Sequence, residues 1–130
     1  MNKVQEFAFN RGITNVFHYA AAEEKCIFER QAEENGYERK TTFFSDLSIA
    51  EWYGVSSVRD TFNNVVSSWL SDVEYFTEFV MSLNLKIWEW YDRGDNELSR
   101  LYDELWRKAD AMACEKYQGE DADYFFSTLD

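Results

Sequence analysis

Two stretches of helical periodicity, separated by one short break, constrain this chain more than any other feature. Between Asp72 and Tyr117 the apolar residues recur at i, i+3, i+4 and i+7, the spacing of a buried helical stripe. In the first stretch they are Val73, Phe76, Phe79, Val80, Leu83, Ile87, Trp90 and Tyr91. In the second they are Leu98, Leu101, Tyr102, Leu105, Ala109, Met112 and Ala113. The break holds Gly94, suited to the left-handed residue that follows a helix. Asp95 or Asn96 can cap the next helix with a side-chain oxygen. So short a connection makes the two helices antiparallel neighbours. The 72–117 hairpin is therefore expected to organise the fold.

The chain has no proline and only five glycines, which favours long helices over a β fold with many turns. Eleven Phe, eight Tyr and five Trp supply a core. The expected class is all-α: a compact bundle of five to six helices in a single domain spanning 1–130. Within it, 1–40 form N-terminal helices, and 41–130 form the main body with a short C-terminal tail.

Before the hairpin, residues 3–10 read as a short helix. Thr14 or Asn15 caps a longer one running to about Asn35, with Gly36 as its stop. Tyr37 to Phe44 reads ambiguously, with Thr41 to Phe44 open to an extended conformation. Ser48 and Glu51 have the spacing of a capping box and would start a short helix ending at Gly54. Ser57 with Asp60 repeats that logic and would open a helix from Val58 to Leu70. After Gly119, the stretch around Tyr124, Phe125, Phe126 and Leu129 is expected to dock as a last helical turn or two.

From Thr41 onward the chain carries a series of blocks: Thr41-Thr42-Phe43-Phe44-Ser45-Asp46, Ile49-Ala50, Asp60-Thr61-Phe62 and Thr77-Glu78-Phe79-Val80-Met81. Then come Leu83-Asn84, Lys86-Ile87-Trp88, Tyr102-Asp103-Glu104-Leu105-Trp106, Lys108-Ala109-Asp110, Tyr124-Phe125-Phe126 and Thr128-Leu129-Asp130. In these it resembles a group of small, acidic, helical proteins encoded on conjugative and other mobile elements of gut bacteria. The resemblance implies a genetic setting and no activity.

Charge narrows the function classes. The chain holds 13 basic and 25 acidic side chains, net −12. Residues 1–44 carry net −1, 45–93 net −5 and 94–130 net −6. Such a surface opposes direct binding to nucleic acid or an anionic membrane. With no signal-peptide pattern and no long apolar run, the expected address is cytoplasmic.

No catalytic constellation is visible. His18 is the one histidine, and no nucleophile motif accompanies it. Cys26 and Cys114 match no metal spacing and are expected reduced and partly buried. No metal or cofactor is assigned. Arg93-Gly94-Asp95 spells an adhesion tripeptide, but capping explains each residue.

What remains is a surface. Trp88 lies off the main stripe and Trp106 at its edge. With Trp90 and the carboxylates Glu74, Glu78, Asp103, Glu104 and Asp110, they form the candidate protein-interaction set. Aromatic residues are favoured interface anchors. The leading expectation is a non-enzymatic acidic interaction protein with a basic protein partner, in its sharpest form a mimic of DNA. The alternatives are a carboxylate-based metal protein or enzyme, and a structural subunit that forms a homodimer or larger homo-oligomer.

Overall fold

A computed structural model describes residues 1–36 and 42–129, and among these every regular element is a helix. They are α1 (Lys3–Asn10), α2 (Val16–Asn35), α3 (Thr42–Tyr53), α4 (Val55–Trp69), α5 (Val73–Asp92), α6 (Asn96–Lys116) and α7 (Glu120–Leu129). The chain divides into two compact units, Met1–Thr61 and Phe62–Asp130, with the division inside α4. The described helices thus number seven, against an expectation of five to six. The difference comes from α7, a ten-residue helix where a turn or two was expected.

In the first unit, Asn2 and Gln5 form a reciprocal capping box at the start of α1. Both side-chain amides also donate to the Trp52 carbonyl at 3.0 Å, pinning α1 to the end of α3. Asn15 caps α2 by accepting from the Phe17 and His18 amides. Gly36 ends that helix in the left-handed region at φ 66°. Helices α2 and α3 pack together. Tyr19 of α2 meets Trp52 of α3 with ring centroids 5.7 Å apart.

Three sequence readings differ from the structure in this unit. Helix α3 begins at Thr42, so 42–44 are helical and not extended; Tyr37 to Thr41 lie outside the described residues. Ser48 and Glu51 are not a capping box. They lie within α3 and are fully buried, on a stripe with Phe44 and Leu47 at i, i+3, i+4 and i+7. Two polar residues at stripe positions hid the helix. Helix α4 likewise starts at Val55, ahead of the Ser57 cap expected from sequence.

In the second unit α5 and α6 follow one another across a short turn and pack together. Asp72 caps α5 by accepting from the Tyr75 amide. At the other end, the Asp95 amide donates to the Trp90 carbonyl and the Gly94 amide to that of Tyr91. This is the paired closure that a left-handed residue permits, and Gly94 has φ 81°. Asp95 then caps α6 through the Leu98 amide at 3.0 Å. Across the hairpin, Ser99 Oγ donates to the Ile87 carbonyl.

Phe76, Phe79, Val80, Leu83 and Trp90 of α5 are buried, as are Leu98, Leu101, Tyr102, Leu105, Ala109 and Ala113 of α6. An aromatic cluster seats α7. The Phe125 ring is fully buried, 5.7 Å from Tyr117 and 6.3 Å from Phe76. Tyr117 also donates its hydroxyl to the Leu70 carbonyl. Burial, then the charges of Asp121 and Asp72, push the Tyr117 hydroxyl up to about 12.

Candidate interaction surface

Helix α5 has two differently used halves. Its inner row, Phe79, Leu83, Lys86 and Trp90, is fully buried or nearly so. At 100° per residue, that placement turns Asn84, Trp88, Tyr91 and Asp92 outward. Trp88 is 54 % exposed and Tyr91 58 %. Their rings meet edge to face, with centroids 6.0 Å apart at 80°. Met81 and Leu85, both half-buried, continue the row toward the N-terminus. Helix α7 packs on α5, yet leaves this outer face open.

The end of α5 beneath the two rings is fixed. Glu89 and Arg93 form an ion pair at 3.3 Å, each side chain only 14 % exposed. The Arg93 guanidinium lies over the Trp90 ring, 5.1 Å from its centroid. The left-handed closure at Gly94 and the Asp95 cap complete the support. These roles account for the Arg93-Gly94-Asp95 tripeptide, whose aspartate is buried. An exposed aromatic pair on a rigid helix end carries little ordering cost on binding.

The residues singled out from sequence separate in the structure. Trp88 is on the open face. Trp90 is only 1 % exposed and cannot anchor a partner there, because it occupies the inner row. Tyr91, read from sequence as part of the buried stripe, is instead half of the exposed pair. Trp106 is half-buried on α6. Glu74 is exposed in the first turn of α5, where a carboxylate suits the helix dipole. Glu78 is half-buried on the same helix.

On α6, Asp103 accepts from Arg107 at 3.0 Å in an exposed i, i+4 pair. Glu104 is exposed and Asp110 half-buried. Arg100, Arg107 and Lys108 interrupt the carboxylate rows of this helix. Lys108 additionally donates to Asn63 Oδ1 at 2.8 Å. The acidic face of α6 is therefore patched with cations and does not present two unbroken rows of negative charge.

Several buried polar residues went unread in the sequence. In the first unit Glu23, Glu24 and Glu51 are buried, and Ser45 Oγ donates to Glu24 Oε2. Asp46 is half-buried, and loss of hydration raises its carboxyl above the ordinary value. In the second unit Lys86 is fully buried, its Nζ 5.4 Å from the Tyr102 ring centroid. Among the described residues, no group of three or more His, Cys, Asp or Glu is arranged to hold a metal ion. An apolar groove of about 190 Å³ in the first unit is lined by Met1, Gln5, Phe9, Ile13, Thr14 and Trp52, none of them acidic.

Cys26 and Cys114 are free, and both are exposed where partial burial was expected. Each follows or precedes a buried stripe residue, Ile27 or Ala113, and is thereby turned about 100° away from the core. No described helix is long and apolar enough to cross a membrane. No protein-family model, curated protein or solved structure matches the chain.

Proposed function

We propose that this chain is a non-enzymatic acidic interaction module, an accessory protein of a mobile element, which binds a basic protein through the outer face of its α5–α6 hairpin. The observation that carries this reading is the exposed Trp88–Tyr91 pair on a unit of high negative charge. Residues 62–130 hold six basic and fifteen acidic side chains, net −9. Adjoining exposed aromatics mark interaction sites more often than single exposed residues do. The surrounding charge favours a basic partner and speeds its approach. The mixed charges of α6 favour the aromatic row of α5 as the surface, and protein recognition over imitation of a phosphate backbone.

Affinity capture from a lysate of the bacterial host tests this, comparing the wild-type chain with Trp88→Ala/Tyr91→Ala. The expected result is a basic protein retained at about 50 mM salt, released at about 500 mM as screening shortens the range of the charges, and absent from the variant. Retention of the same proteins by both chains at both salts would contradict it.

A further inference from the structure

The Trp88–Tyr91 face has a chemical preference of its own. Two aromatic rings at 80° and 6.0 Å form a corner, and the faces of such rings carry negative potential. Asp92 follows Trp88 by one helical turn and is exposed, which puts its carboxylate on the same side of α5. A cation against those rings would have a carboxylate on the same side of the helix.

Inside the chain cations already sit over single rings: Lys86 over Tyr102, Lys108 over Phe62, and two arginines. Arg93 lies over the Trp90 ring while pairing with Glu89, whose carboxylate is one helical turn away. Arg11 likewise lies over Phe7, 4.0 Å from its centroid. A planar guanidinium can stack on a ring and still direct N–H groups at a carboxylate, whereas an ammonium is a compact, strongly hydrated point charge.

Resting on the interaction reading above, we propose that the occupant of this face is an arginine-bearing segment of a partner protein. One guanidinium sits against Trp88 and Tyr91 and is paired with Asp92. Met81 and Leu85 receive the apolar side chains that flank it. A second copy of this chain is a poor occupant, because it would bring two units of net −9 together. An anionic lipid surface is repelled on the same ground.

The test is a titration of the full chain with two helical peptides of one sequence, alike except for Arg or Lys at their basic positions. Binding is read by calorimetry at about 50 mM salt, where charges remain only partly screened. The rings are more than half exposed, so their replacement does not threaten the fold. The expected result is about three- to tenfold tighter binding of the arginine peptide, the range a partly desolvated cation–ring contact supports. Trp88→Ala/Tyr91→Ala should remove the preference, and Asp92→Asn should weaken both peptides. Glu97→Gln on α6 should leave the preference intact.

Equal affinities that the ring variant does not change would overturn the arginine assignment while leaving a charge-driven module standing. Absence of binding by either peptide would overturn both readings. Self-association of the chain that the ring variant abolishes would assign the face to a second copy and overturn the proposal.

Discussion

At the scale of single residues, this chain places charge where its helices should be apolar. Lys86 falls at the stripe position between Leu83 and Trp90 and is fully buried. Glu51 does the same on α3, and Asp46 is half-buried on the same helix. Ionised groups held from water are costly unless they are paired and hydrogen-bonded. For Asp46 the consequence has a defined sign. Its folded-state carboxyl is raised above the ordinary 3.8 by loss of hydration. The folded chain therefore binds this proton more tightly than the unfolded chain. The group's penalty is absent below pH 3.8 and sets in as pH rises through the folded value. Asp46→Asn should accordingly be more stable than wild type at pH 7 and equal to it at pH 3. Denaturant melts at the two pH values measure this, and an equal gain at both would refute the burial explanation.

At the scale of elements, local rules and tertiary packing contributed unequally to what could be read. Helices α5 and α6 were legible because their stripes, the glycine between them and their capping aspartates agree. Helix α3 was not, because Ser48 and Glu51 stand at stripe positions and also match the letters of a cap. Packing against α2 decided between the two, and no local pattern records that packing. Helix α7 shows a third situation. Its acidic first turn, Glu120, Asp121 and Asp123, suits the helix dipole, but ten residues are too short to be stable alone. Phe125 supplies the missing stability by filling the space against Phe76 and Tyr117. Phe125→Ala should cost about 3–5 kcal/mol. Hydrogen exchange should show α7 losing its protection before α5 and α6 do. Loss of protection in all three helices together would mean that α7 is an integral part of the hairpin's cooperative unit.

At the scale of the whole molecule, the all-α class followed from the absent prolines and the helical periods, and the acidic balance followed from counting. The proposed interaction surface was legible only in part. Trp88 stood out because it left the stripe. Tyr91 was counted into the stripe, since one residue past Trp90 lies near the edge of the apolar arc and period alone does not settle which side of that edge is wet. Trp90 has the chemistry of an anchor, but its position in the stripe turns it inward. The carboxylates of α6 are numerous, yet Arg100, Arg107 and Lys108 share their helix.

The central claim is that the outer face of α5, and not the carboxylates of α6, receives the partner. Side-chain NMR of the five tryptophan indoles, followed as the arginine peptide is added, tests it most directly. The account expects the Trp88 indole signal and the backbone amides of Asn84 to Asp92 to shift together. The buried Trp90 indole and the amides around Asp103 and Asp110 should stay in place. A Trp88 signal that does not move while the amides of α6 shift would contradict it.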